Sequence, residues 1–434
     1  MAATDQEQNT ADAVRRAGAA ALSPSEASAV GNPTVDGRVP EGLEPRLVER
    51  AAPHGSPASV LAAVQGIATD FAQQRRERQA RRALDPADFA RLADAGFLLS
   101  GVPAEQGGLW ASTSRSTRLV CELLRTLARG DSSVALVCAM HPSVLGFWLA
   151  TPAAPEPFAA AWDEQRRAIF QTVLDGAWWG TITSEPGSGG DMLRTRAVAR
   201  LDANAAGYRL GGDKQFGSGS GITAYMMTTA IPEGEEQPDL FYLAVRDVAW
   251  DGSTGLTLVA PWDGLGMIAT QSHAFRFEAF PATRAAWPGS LAGLGTASQP
   301  SVRCCFTAVC VGIVEEALAT ARAQLQPRRA ALRPYEQVEW ARAELEGWLI
   351  QQAYEGMLRA LEATPADAAL ASMQGKVAIA ELAEAVLTRL CRVVGGGTYA
   401  RSSPFGCWAQ DVRALGFLRP PWGLAFDLLI EPMN

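Results

Sequence analysis

Apolar and polar positions recur with two different periods along this chain, and the change of period divides it into regions. From Val60 onward apolar residues return at three- and four-residue intervals, the spacing of one helix face. The run from Leu84 to Gly96 carries a full set of helix boundaries: Asp85 as N-cap, Pro86 in the first turn, Gly96 just past the end. Segments 113–128 and 132–150 read as further helices, after a turn at 102–108. Between Trp178 and about Pro288 the period shortens, and 195–201, 224–231, 240–245 and 274–280 read as strands between Gly, Pro and Asp turns. Helical spacing returns in 301–325, 334–362 and 365–394, the last stopped by three glycines from Gly395. The expected fold is α+β: an N-terminal helical domain (56–170), a middle antiparallel β-domain (171–292) and a C-terminal helical bundle (293–434). Residues 1–55, rich in Ala, Pro, Gly and Ser without sustained periodicity, read as a flexible tail.

Composition narrows the function. The chain has 434 residues, 48% hydrophobic and 19% charged, enough to bury a large core. With 38 Lys and Arg against 46 Asp and Glu it carries a formal charge of −8, which argues against nucleic acid as a partner. Seven cysteines are scattered without metal-ligand spacing, and His54, His141 and His273 are the three histidines, so no metal centre is expected. No uninterrupted apolar run reaches about 18 residues and the first 59 lack a signal-peptide core. A soluble cytoplasmic protein, with no membrane partner, is expected.

Two Gly/Ser-rich segments carry the candidate chemistry: Thr183-Ser-Glu-Pro-Gly-Ser-Gly-Gly-Asp191 and Gly211-Gly-Asp-Lys-Gln-Phe-Gly-Ser-Gly219. As turns they present hydroxyls and backbone N–H groups to a planar ligand, with glycines allowing close approach. Read alone, the first is also an ordinary polar turn with Asp191 as its cap, and Phe216 an ordinary core aromatic. Together they resemble the flavin-facing part of the acyl-CoA dehydrogenase superfamily, and the resemblance spans about residues 60–430 with that family's α, β, α-bundle order. It implies a flavin held by Thr183, Ser184 and Gly189, with the Ser184 hydroxyl on the pyrimidine edge of the isoalloxazine. It also implies Phe216 beside the ring and Ser218 near its reactive N5. Phe-x-Ser-Gly, in place of the dehydrogenases' Trp-x-Thr-Asn, is similar to the oxygen-activating branch, the monooxygenases related to dibenzothiophene monooxygenase.

The same resemblance continues at the C-terminus, where the run from Val394 through Gln410-Asp-Val-Arg413 aligns without gaps. The family's catalytic carboxylate, eight residues past the aspartate, falls on Arg419. A guanidinium stays charged and accepts no proton, so it cannot abstract one from an acyl thioester. The alternative family position for that carboxylate falls on Val302. Arg419 suits an anionic substrate, a carboxylate, sulfonate or phosphate, which a guanidinium binds in bidentate fashion. The dehydrogenases' Arg-x-x-Phe-Gly, which binds the FAD pyrophosphate, reads Leu325-Gln-Pro-Arg328-Arg329. Arg328 or Arg329 would reach the FAD of a partner subunit, or the adenosine half is lost and the cofactor is FMN. Gly395 and Gly396 allow close backbone approach to the cofactor, or merely stop a helix. His141 and His273 are candidates for proton transfer, or core histidines.

The resulting expectation is a flavin-dependent oxidoreductase that activates oxygen on reduced flavin from a separate reductase and acts on a small anion, with Ser218 and a histidine catalytic. One alternative is an acyl-CoA or acyl-carrier dehydrogenase with FAD and a relocated base at Glu315, Glu316 or Asp427. The other is a non-catalytic subunit of the same fold. A homodimer or homotetramer is expected from the large apolar bundle.

Overall fold

The computed structural model describes residues 56–202, 207–363 and 365–430, so the expected tail lies outside the described residues. The N-terminal part contains helices α1 (Pro57–Gln73), α2 (Pro86–Asp94), α3 (Thr113–Gly130), α4 (Ser132–Leu149) and α5 (Ala159–Leu174). The boundaries of α2 are the expected ones: the Asp85 carboxylate accepts the Ala87 N–H and Gly96 takes a left-handed φ of 86°. The sequence reading has no counterpart for α5, although Trp162, Ile169, Phe170 and Val173 form a buried stripe at helical spacing. Helix α4 is buried all round, which its uninterrupted apolar surface requires. By length and composition α4, and the helix beginning at Leu291, are able to cross a membrane; both are mostly buried inside this protein, as core helices are.

Seven strands follow: β1 (Trp179–Thr181), β2 (Val198–Leu201), β3 (Tyr208–Gly217), β4 (Tyr225–Pro232), β5 (Asp239–Ala244), β6 (Leu256–Ala260) and β7 (His273–Arg284). The pairings β4–β2–β3–β7–β5–β4 close a ring around Ile182, Leu210, Phe241, Leu243 and Phe275, with β1 and β6 added on β4 and β7. The sheet is mixed. Antiparallel pairing dominates as expected, but β1 and β2 both run parallel to β4. One expectation needs correction: Gly211 to Gly217 is the second half of β3 and not a turn. Its two register shifts, at Leu210/Gly212 and Lys214/Gly217, are bulges, which is why glycines interrupt the strand.

The C-terminal part holds α6 (Leu291–Leu325), α7 (Pro334–Ala363), α8 (Pro365–Val394), α9 (Pro404–Asp411) and α10 (Trp422–Ile430). Helix α6 begins before the expected 301 and carries Pro300 inside it. Its inner half shares one apolar core with α3 and α4, through residues such as Leu124, Phe147, Val309 and Ile313. This shared core holds the segment after α9 against β1 and the turn that follows it.

Candidate functional site

The two motifs, separated by nineteen residues in sequence, lie side by side. Isolated bridges pair Thr181 with Ser218 and Ser184 with Gln215, and the Gln215 N–H donates to the Ser184 carbonyl at 2.8 Å. A buried ion pair fastens them: Lys214 Nζ is 2.6 Å from Glu185 Oε1 and also donates to the Thr229 carbonyl at 2.6 Å. Glu185 further accepts the Arg196 and Ala197 N–H groups at 2.7 and 3.2 Å, and the Thr195 hydroxyl. Burial alone would raise the Glu185 carboxyl, but the Lys214 charge and these donors outweigh it and hold it below the usual range. Burial lowers the Lys214 amine, and the Glu185 charge opposes that shift. The pair was not singled out from the sequence, although part of the signal was present: Lys214 is the one basic residue in the two motifs, and Glu185, Asp191 and Asp213 are the acids that could answer it.

The hydroxyls stand on this base. Thr183 and Ser218 are buried and Ser184 is half-buried, with no hydrogen bond from the Ser184 hydroxyl to another described residue. Ser218 Oγ lies 2.8 Å from Ser272 Oγ, which lies 2.7 Å from Thr270 Oγ1. Phe216 is 51% exposed despite its place in a strand, with a left-handed φ of 61° that turns its ring out against Trp262. Non-glycine residues rarely adopt that conformation, and they do so where the surroundings enforce it. Gly187, Gly189 and Gly190 all take a left-handed φ, and open space surrounds Gly189. Asp191 caps the following turn through the Leu193 N–H, as its alternative reading has it. At Gly190 a Cβ would come within 2.9 Å of Pro421, so glycine lets the turn pack on the segment that carries Arg419.

Arg419 enters this pocket from the C-terminal side. One terminal nitrogen donates to Thr181 and Thr183 Oγ1 at 3.0 and 2.9 Å, and the other lies 3.1 Å from the Met192 sulfur. By area the residue keeps some exposure, yet desolvation lowers its pKa to about 10, and its partners among the described residues are all neutral. Arg419 lines a narrow cleft with Thr181, Met140, Phe147, Phe306 and Val302. Both positions at which the family places its carboxylate therefore converge on one cleft, and neither carries an acid.

The two histidines separate. His141 is fully buried, Nε2 lying 3.0 Å from the Leu98 carbonyl and Nδ1 accepting the Trp179 N–H at 3.1 Å. Burial lowers its pKa to about 4, so it is a neutral brace between α4 and β1 and not the proton-transfer group expected. His273 uses only Nδ1, which accepts the Trp262 N–H at 2.8 Å; Nε2 therefore carries the ring proton. Burial lowers its pKa, and it packs on Trp250. Through Trp262 it joins the aromatic group around Phe216.

Arg328 and the glycines are brought to each other. Arg328 donates to the carbonyls of Val393 and Val394 at 2.8 and 3.0 Å and so caps α8 of its own chain. This engages the group expected to reach a partner's FAD. Gly395 has a left-handed φ of 97°, and a Cβ at Gly395 or Gly396 would meet nothing within 4 Å. Gly395 ends α8, and the open space beside both glycines leaves room for a close approach. The relocated-base candidates lie elsewhere: Glu316 is paired with Arg75 at 2.7 Å, Glu315 accepts from Gln351 at 2.7 Å, and Asp427 is exposed on α10.

No protein-family model matches the chain. In sequence it is 28% identical over 245 residues to dibenzothiophene monooxygenase of Mycolicibacterium goodii, a match that spans 53% of this chain and about half, 54%, of that relative. It is 28% identical over 358 residues to the amino sugar nitrososynthase DnmZ of Streptomyces peucetius, across 76% of this chain and 82% of the relative. In fold it is similar to KijD3 solved with FMN and a dTDP-linked amino sugar, with a TM-score of 0.72 at 22% identity, covering 87% of this chain and 93% of the other. In fold this chain is acyl-CoA dehydrogenase-like, and in sequence it is similar to a flavin-dependent monooxygenase and to nitrososynthases.

Proposed function

We propose that the protein is a flavin-dependent monooxygenase that takes reduced FMN from a separate reductase and oxygenates a small anionic substrate. The observation that carries this reading is the cleft in which Val302 and Arg419 meet: both carboxylate positions are empty of acid while the hydroxyl-lined pocket beside them is intact. The residues fit a flat ring with polar edges. An exposed aromatic is held outward at Phe216, the Ser184 hydroxyl has no partner among the described residues, and open space surrounds Gly189. Thr183, Ser184, Gly189, Phe216 and Ser218 would hold the flavin. When bound and reduced, it supplies the two electrons by which one oxygen atom of O2 enters the substrate and the other leaves as water.

Arg419 holds the substrate anion, which replaces its neutral partners with charge-assisted bonds. The apolar faces of α4 and α6, through Met140, Phe147, Val302 and Phe306, keep water from the cleft. His273, whose Nε2 carries a proton, takes the proton-transfer role in place of His141. FMN is favoured over FAD because the pyrophosphate motif is missing and Arg328 is committed to α8. In this reading the protein is a cytoplasmic homo-oligomer, and the contact between copies would cover the exposed Tyr335, Val338, Leu345 and Trp348 along α7.

The test is turnover with FMN, NADH and an added flavin reductase on a panel of small sulfinates, carboxylates and phosphate esters. Oxygenated product that requires the reductase is expected, and Arg419→Gln should raise KM about 10- to 100-fold by loss of charge-assisted bonds. Tightly bound FAD bleached anaerobically by an acyl-CoA would overturn the reading in favour of a dehydrogenase.

A further inference from the structure

The cleft beside Arg419 is built from two matched helix faces. Helix α4 turns Met140, Ser143 and Phe147 to it, and α6 turns Gln299, Val302 and Phe306, each set at three- and four-residue spacing. Four of these side chains are apolar, and Ser143 and Gln299 are polar. Among the described residues that line the cleft, Arg419 carries the one charge.

Ser143 is buried, 6% exposed, and its hydroxyl has no hydrogen-bond partner among the described residues. Thr117, Thr296 and Thr388, on α3, α6 and α8, return their hydroxyls to the carbonyl one turn back, at 2.6, 2.9 and 2.8 Å. Ser143 does not. Eight buried side-chain atoms of the described residues are unpartnered in this way, and Ser143 Oγ is the one that lines this cleft. The half-buried Gln299 amide on α6 likewise makes no hydrogen bond to another described residue. An unpaired buried hydroxyl lowers stability, and alanine would fill nearly the same small volume without it. The two polar groups therefore stand open to a ligand.

We infer that Ser143 and Gln299 are specificity-determining residues and that the substrate is a hydroxylated small anion, whose charge meets Arg419 and whose hydroxyl meets Ser143 and Gln299. The inference rests on the proposed reading that this cleft takes the substrate anion at Arg419, and it adds the second group by which the substrate is chosen. A hydroxyl both donates and accepts, so it satisfies the Ser143 hydroxyl and either end of the Gln299 amide. A second charge in that place would lie among Met140, Phe147, Val302 and Phe306 without a counter-charge, which disfavours a dianion or a zwitterion. A bare anion of the same size leaves the Ser143 hydroxyl unpaired, and the cleft discriminates against it on that ground.

The experiment measures dissociation constants by calorimetry, with FMN present, for three pairs of anions that differ by one hydroxyl: lactate and propionate, 2-hydroxyethanesulfonate and ethanesulfonate, 2-hydroxyethyl phosphate and ethyl phosphate. In the pair whose anion suits Arg419 the hydroxylated member should bind about 3- to 10-fold more tightly, the contribution of one neutral hydrogen bond. Ser143→Ala should bring that ratio to about one, with the bare anion bound as before or more tightly. Its Tm should be unchanged or higher, because no internal bond is lost. Gln299→Leu should lower the ratio as well, and Arg419→Gln should weaken both members alike. Equal binding within all three pairs, or a ratio unchanged in Ser143→Ala or Gln299→Leu, overturns the inference alone. So does a lowered Tm in Ser143→Ala, which would mean that the hydroxyl is already bonded inside the chain. Binding of none of the six anions overturns the reading of Arg419 beneath it.

Discussion

Lys214 and Arg419 both reach the Thr183–Asp191 turn, and both are cations drawn away from bulk water. Lys214 has its counter-charge: Glu185 sits 2.6 Å away and is itself saturated with donors. Arg419 has two threonine hydroxyls and a thioether. The first arrangement is closed, with every charge answered inside the chain, and it joins the two motifs into one surface. The second is open, because neutral partners do not compensate a desolvated charge. A buried ion pair thus marks scaffold, while a desolvated cation without an acid marks a place where a ligand completes the electrostatics.

Breaking the closed pair should have the largest effect. Lys214→Met leaves Glu185 buried and unpaired, and chemical denaturation should show a loss of about 3–5 kcal/mol. The double variant Glu185→Gln/Lys214→Met should recover a large part of that loss, because the stranded charge is gone; recovery of nothing would mean that Lys214 acts through packing alone.

His141 gives the next effect. Its pKa is about 4 in the folded chain against an ordinary 6.5, so its contribution is complete above pH 6.5 and is lost as pH falls toward 4. The span corresponds to about 3 kcal/mol. Asp411, raised to about 6 mainly by burial, acts in the opposite sense and loses its contribution as pH rises through that value. Comparing stability against pH for the parent and His141→Gln isolates the histidine: the variant should be flatter between pH 6.5 and 4, and an equal slope would remove the neutral-brace assignment.

Arg419→Met should have the smallest effect on stability, within about 1 kcal/mol of the parent and on the stabilising side, since an uncompensated charge gives way to an apolar side chain. A large destabilisation, comparable to that of Lys214→Met, would erase the distinction between the two cations.

Much of this was legible in the sequence because the signals are local. The caps of α2, the long periodic helices and the glycine stop after Val394 each depend on a few neighbouring residues. Misreadings came where neighbours in space override neighbours in sequence. Gly211 to Gly217 has turn composition, yet pairing with β7 draws it into a bulged strand. Pro300 resembles a helix boundary, but it lies within α6, where packing against α3 and α4 sustains the helix. His141 and His273 look alike as scarce histidines, and only their hydrogen bonds tell them apart.

By itself, the sequence determined the order of elements, the two motifs with their hydroxyls, and the absence of a carboxylate at 302 and 419, because composition and register are properties of the chain alone. The tertiary structure decided that Val302 and Arg419 share a cleft, that Glu185 and Lys214 pair, and that His141 is a buried brace while His273 stands by the aromatic group at Phe216. Each of these depends on distances of a few ångströms between segments far apart in sequence, and only the packing of the helices against the closed sheet sets those distances.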